Sequence, residues 1–366
     1  MLIHLNEEIY LMWLTRITGI GAKKQRLLLH AFGSAENVYF TRPADLIKIH
    51  SLNDELVENI IKAKLNSKLE DFATELYQSD MKFISFWHPL YPDILKEIPD
   101  PPIGLYAIGD TSLLQSEVSV GIVGSRYSSE YGRMAAYKIS ADLAKKGVTI
   151  ISGMAKGIDT SAHKGALEAD GKTIAVLGCG ADVCYPKENK IVYNKIAQHG
   201  LILSEHPPGT APLPGFFPMR NRIISGLSNG VFVVEAGEKS GSLITADQAL
   251  EQGRDVYALP GSIYSKLSKG SNNLIKQGAL LVTQYEDILD ALGFFEKKQE
   301  VDLEAKTKDL ANDEMLVYDC ISFEPISIDT LLEKLDLELQ QLQYLLTMLE
   351  LKKYIERLPG GRYILI

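Results

Sequence analysis

Three stretches of the chain place small and cationic residues where an apolar run gives way to a helical pattern. They are Gly124-Ser125-Arg126, Ser152-Gly153-Met154-Ala155-Lys156 and Lys239-Ser240-Gly241. Backbone N–H groups at strand-to-helix turns, joined to the dipole of the helix they open, favour an anion. Arg126 adds a fork of donors suited to phosphate, and Lys156 and Lys239 add compact positive charges. The densest cluster is Arg220-Asn221-Arg222, which offers many donors and has no acidic residue in its own segment. Two arginines so close together cannot both be buried unpaired. A phosphate or a carboxylate complements them, or else an internal ion pair, for instance to Glu205 or Glu235. Phe216 and Phe217 lie just before them, in a proline- and glycine-rich loop at 207–218, and are candidate stacking platforms for bases.

Other chemistries find no support in the sequence. The string G-x-x-G-S-R at 121–126 is not the G-x-G-x-x-G of a dinucleotide site, and no Walker lysine motif is present. Cys179, Cys184 and Cys320 form no C-x-x-C pair, so neither a zinc site nor a disulfide framework is expected. No cofactor, metal or catalytic residue is therefore assigned. Asp159 reads as the N-cap of a helix, and His163 as a packing residue rather than a catalyst.

The elements that must position these residues form four blocks. Residues 1–75 show helical spacing, with Ile9, Met12, Trp13 and Ile17 on one stripe and Leu56, Ile60 and Ile61 on another. From 76 to 296 an extended, proline-rich opening (82–109) leads into short β-branched runs at 118–123, 148–151, 173–177, 201–203, 231–234, 256–259 and 280–282. Amphipathic stretches at 131–145, 189–198 and 243–252 separate several of them. Continuous apolar strands alternating with helices predict an α/β fold: an extended Rossmann-like, doubly wound, mainly parallel sheet. A charged stretch reads as a linker over 297–312. Residues 313–366 hold two helices and a terminal hairpin, the pattern of a winged helix.

The chain has 366 residues, 46% hydrophobic and 23% charged, with a formal net charge of -9. That balance predicts a soluble intracellular protein with no membrane span, and it excludes one that coats polyanions with its whole surface. A local basic groove remains compatible with it.

The series 121–126, 152–159, 178–186, 204–208, 217–228, 239–246, 253–261 and 270–279 resembles the DprA (Smf) family of DNA-processing proteins, in order through the whole sheet domain. The resemblance implies a cytoplasmic protein that binds and protects single-stranded DNA and loads the recombinase RecA onto it in natural transformation. It also implies homodimers formed through the Rossmann-like domain, an N-terminal SAM-like or helix-hairpin-helix domain and a C-terminal winged helix. Gly124, Ser125, Arg126, Ser152, Gly153, Lys156, Phe216, Phe217, Arg220, Asn221, Arg222, Lys239, Ser240 and Gly241 are the expected DNA-binding residues. The alternative is an enzyme that uses the same pocket, like the nucleotide phosphoribohydrolases of the LOG family. That family's P-G-G-x-G-T-x-x-E motif departs from the 235–245 segment here, which carries no glutamate in the following turn of helix. Gly19-Ile20-Gly21 resembles a helix-hairpin-helix turn, whose amides can meet a DNA phosphate. The helix carrying Gln340, Gln341 and Gln343 is too weakly basic for a major-groove reader, and suits a protein contact or regulation.

Overall fold

Aliphatic runs with no polar alternation demand burial on both faces of a sheet, and the computed structural model supplies it. The structure describes residues 7–293, 310–322, 326–335, 337–352, 354–358 and 361–365. The chain divides into two compact units, residues 1–294 and 295–366.

The first unit opens with helices α1 (Glu7–Thr15), α2 (Ala22–Phe32), α3 (Ala35–Phe40), α4 (Pro43–Leu46), α5 (Asp54–Asn66) and α6 (Leu69–Gln78). Ser34 and Asn53 cap α3 and α5 by accepting from the amides of Asn37 and Leu56. Gly19, in the hairpin between α1 and α2, has φ +80°, and a Cβ there would meet Leu56 at 2.9 Å. Only glycine fits that position. Trp13, fully buried, shares one apolar cluster with Phe83, Tyr106 and Tyr193, so the helical block packs on the sheet.

The proline-rich opening contains two strands, β1 (Lys82–Ser85) and β2 (Gly104–Gly109), flanking a short helix α7 (Asp93–Lys96). They pair antiparallel with Lys82 opposite Ala107. The prolines stay in the connection because a proline nitrogen cannot donate to a ladder.

The α/β core follows as β3 (Ser119–Val123), α8 (Glu130–Lys145), β4 (Thr149–Ser152), α9 (Ile158–Glu168), β5 (Thr173–Leu177), α10 (Lys190–His199), β6 (Leu201–Ser204), α11 (Phe216–Gly226), β7 (Gly230–Val233), α12 (Gly241–Glu251), β8 (Asp255–Ala258), α13 (Lys269–Lys276), β9 (Leu280–Leu281) and α14 (Tyr285–Ala291). Among the described residues the sheet has nine strands in the order β1-β2-β6-β5-β4-β3-β7-β8-β9. It is parallel from β6 to β9 and antiparallel at β1 and β2. Val123 and Val233 face α11 and α12, whereas Ile122 and Phe232 face α8, α9 and α14. The expected strands from 118 to 282 and the helices expected at 131–145, 189–198 and 243–252 lie within about two residues of these bounds, whereas α7, α11, α13 and α14 are additions and the extended opening resolves into β1 and β2.

In the second unit, helices α15 (Asn312–Asp319), α16 (Ile328–Lys334) and α17 (Leu339–Leu351) pack with strands β10 (Ile326–Ser327), β11 (Ile355–Leu358) and β12 (Arg362–Leu365), ordered β10-β12-β11. Val317, Leu331, Leu342, Leu346 and Ile355 form its core. The expected helices and hairpin are present, and α15 is an addition. It is too short to show a hydrophobic period, and Glu314 in it pairs with Lys352 at 2.6 Å. The expected linker at 297–312 lies outside the described residues up to 309. Among the described residues no helix is long and apolar enough to cross a membrane.

His163 on α9 is fully buried, with Nδ1 2.7 Å from the hydroxyl of Thr173. Burial, reinforced by the charge of Arg220, pushes its pKa down from 6.5 to about 3. The unfolded chain therefore binds the proton first as pH falls below 6.5. This stability is complete above that pH and is lost at about 1.4 kcal/mol per pH unit on going lower. His163→Gln is expected to remove the dependence. The urea-unfolding free energies of wild type and variant should converge by roughly that amount per unit below pH 6.5, whereas a constant gap would contradict the assignment.

Candidate nucleic-acid interface

The chain lays β3 down at the middle of the parallel array, steps outward through β4, β5 and β6, and then returns to place β7 on the other side of β3. Loops that follow β3 and β7 therefore diverge, and a crevice opens at the carboxyl ends of these two strands. A cavity of about 630 Å³ lies there. Ser125, Arg126 and Tyr127 enter it after β3, Asp159 from α9 and Tyr185 after β5. Phe217, Arg220 and Asn221 come from α11, and Lys239, Ser240 and Gly241 from the start of α12.

Helical spacing selects the members from α11. Phe217, Arg220, Asn221 and Ile224 stand at i, i+3, i+4 and i+7, which is one face of a helix. The Phe217 ring stacks on Tyr185 with centroids 5.5 Å apart and planes 27° apart. The guanidinium carbon of Arg126 lies 5.2 Å from the centroid of the same ring, a cation–π contact. Together they form an aromatic platform with a cation beside it.

Arg220 forms the base of the crevice. It is 4% exposed, and Nη1 donates to the carbonyl oxygens of Gly153, at 2.8 Å, and Val176. Nε donates to Oδ1 of Asn221 at 3.1 Å. A Cβ on Gly153 would come within 2.5 Å of the guanidinium, so this glycine leaves room for the arginine. Burial pulls the Arg220 pKa down to about 10, against the attraction of Asp159. Asp159 is itself buried, and desolvation raises its carboxyl above the ordinary range while Arg220 and the amides of Ala155 and Gly153 oppose the rise.

The turns differ in how much of their donor capacity is free. The Ser125 amide donates to the Glu235 carbonyl at 2.7 Å, so the first turn spends that N–H inside the fold. Glu235 accepts from the amide and hydroxyl of Ser129, holding the start of α8. At the third turn Ser240 caps α12, and exposed Lys239 has no ion-pair partner among the described residues.

The family model described as DNA recombination-mediator protein A matches residues 82–293, and that described as DprA winged helix domain matches 301–361. The chain belongs to the DNA recombination-mediator protein A (DprA/Smf) family. Protein Smf of Synechocystis is 41% identical over 291 residues, covering 79% of this chain and 73% of that one. DNA processing protein DprA of Bacillus subtilis is 43% identical over 242 residues, 64% of this chain and 82% of that one. The X-ray structure of DprA from Streptococcus pneumoniae superposes with TM-score 0.67 at 40% identity, over 78% of this chain and 97% of that one. The structure of DNA processing protein A from Helicobacter pylori, which concerns its single-stranded DNA binding mode, gives TM-score 0.54 at 33% identity, over 58% and 96%.

In this DprA/Smf chain the crevice gathers Gly124, Ser125, Arg126, Phe217, Arg220, Asn221, Lys239, Ser240 and Gly241. Five expected residues stand apart. Arg222 is 4% exposed and grips Glu205 with both ends of its fork, at 2.9 and 2.7 Å, with Asp100 at 3.3 Å. Two positions along a helix from Arg220 means about 200° around it, so the second arginine turns to an internal carboxylate. Phe216, about 100° from Phe217, stacks on His206 instead. Ser152 donates to the Ile122 carbonyl, Gly153 lies under Arg220, and Lys156 pairs with Glu188 at 2.7 Å. Asp159 is not the cap of α9, because Gly157 occupies that position. Tyr185 was not singled out from the sequence, and its only signal is an aromatic residue closing a glycine-rich strand end.

Arg222→Ala is expected to cost about 3–5 kcal/mol in urea unfolding, because it leaves the buried carboxylate of Glu205 unpaired. Lys239→Ala, on the exposed turn, should cost less than about 0.5 kcal/mol. Equal effects of the two changes would contradict the division between a structural and a free cation.

Proposed function

We propose that this protein binds single-stranded DNA through the crevice at the carboxyl ends of β3 and β7. The observation that carries the proposal is the Tyr185–Phe217–Arg126 stack beside Lys239, which has no ion-pair partner among the described residues. A flat π surface takes any base, and the neighbouring cations take the phosphates that flank it, a combination that recognises a single strand without reading its sequence. The Helicobacter pylori relative, whose structure concerns single-stranded DNA binding, supports the same reading. Family resemblance further supports a cytoplasmic homodimer, built through the Rossmann-like domain, that protects the strand and loads RecA onto it in natural transformation.

The acidic net charge of -9 makes the interaction local. Long-range attraction to a polyanion is weak, so affinity rests on the few cations of the crevice. Binding of a labelled oligonucleotide across a salt series tests this. Arg126→Ala and Lys239→Ala should each weaken binding and flatten the logarithmic salt slope by about 0.7. Phe217→Ala should cost about 1–3 kcal/mol with the slope unchanged. Wild-type affinity and slope retained in all three folded variants would refute the site.

A further inference from the structure

A second cavity, of about 540 Å³, borders the same N-terminal turn of α11. Residues 213–219 form a ridge between the two. Leu213, Phe216 and Met219 line the second cavity, and Pro214, Phe217 and Pro218 line the crevice. The far side of the second cavity is the α1–α2 hairpin, from Ile17 to Gly21. We propose that this cavity is a second base-binding subsite, taking bases of the same single strand after it crosses the ridge. The inference rests on the DNA-binding reading of the crevice and extends its path.

The construction of the two subsites is parallel. Phe217 is backed by Tyr185 from the loop after β5, and Phe216 is backed by His206 from the loop after β6, with ring centroids 4.1 Å apart and planes 29° apart. A ring already stacked on one side is held in place, so it accepts a base on the other with little further loss of side-chain freedom. The charges around the second cavity are internally matched: Glu205 is held by Arg222 and Arg16 by Glu75. An apolar floor of Ile17, Ile20 and Ile103, with no unmatched charge, suits a neutral planar base rather than a phosphate. Cations for the flanking phosphates lie in the chain between Ala22 and Gln25, both of which line the cavity. Lys23 and Lys24, in the first turn of α2, have no ion-pair partner among the described residues, and they lie at the positive end of a helix dipole, where a cation is disfavoured unless an anion joins it.

The test uses the full-length chain and fluorescein-labelled oligothymidylates of about 4 and about 16 nucleotides, spanning the range that a single-strand-binding fold occupies. Wild type should bind the longer probe more tightly. Phe216→Ala is expected to lose about 5- to 100-fold in affinity for the longer probe and to match wild type on the shorter one, which also shows that the variant is folded. Phe216→Trp should restore the longer probe's affinity. The double change Lys23→Glu, Lys24→Glu should flatten the salt slope for the longer probe only. If Phe216→Ala binds both probes as wild type does while Phe217→Ala weakens both, the second subsite is refuted and the crevice stands. Loss by Phe216→Ala on both probes alike, or failure of Phe216→Trp to restore, also refutes it. If Phe217→Ala and Arg126→Ala bind both probes as wild type does, the crevice reading itself fails.

Discussion

A buried guanidinium bonded through Nη1 and Nε is the constraint on which the crevice depends. Arg220 reaches from α11 to the carbonyls of Gly153 and Val176, at the carboxyl ends of β4 and β5. Unpaired, a charge at that depth would cost several kcal/mol, so the bonds pin the helix to the sheet. The absent side chain of Gly153 makes the approach possible. Once α11 is held this way, its period brings Phe217 and Asn221 to the same face and sends Arg222 and Phe216 elsewhere.

The rest of the electrostatics follows a division between cations used by the fold and cations left over. Arg222 is consumed by Glu205 and Asp100, and Lys156 by Glu188. Glu235, which could have neutralised an arginine, instead holds the start of α8 through Ser129. Among the described residues Arg126 meets an aromatic face rather than a carboxylate, and Lys239 meets neither. A protein with an excess of acidic residues thereby keeps uncompensated positive charge where the sheet topology opens a cleft.

Legibility differed between elements for physical reasons. Strands β3 to β8 announced themselves because burial on both faces forces uninterrupted apolar runs. Strands β1 and β2 did not, since Pro89, Pro92, Pro99, Pro101 and Pro102 dominate the segment between them and make the whole stretch read as loop. Phe216 and Phe217 read as loop in the sequence because Pro207, Pro208, Pro212, Pro214 and Pro218 dominate the segment. Pro218 lies in the first turn of α11, where its missing N–H would have had no partner in any case. Had the helix been started at Phe216, the face formed by Phe217, Arg220, Asn221 and Ile224 would have excluded Arg222 from the cleft.

Local physics in the sequence alone determined the alternation of strands and helices, the small-residue turns, and the presence of aromatic and cationic residues at strand ends. Each of these is set by backbone conformation and hydrophobic period over a few neighbouring residues. Tertiary structure alone decided which arginine is buried against carbonyls, which finds a carboxylate, and which of two adjacent phenylalanines meets Tyr185. Those outcomes depend on pairs separated by many residues, such as Arg222 with Glu205 and Arg220 with Gly153. Charges and rings are matched by distance in space, and no spacing along the chain encodes that distance until the sheet order brings the partners together.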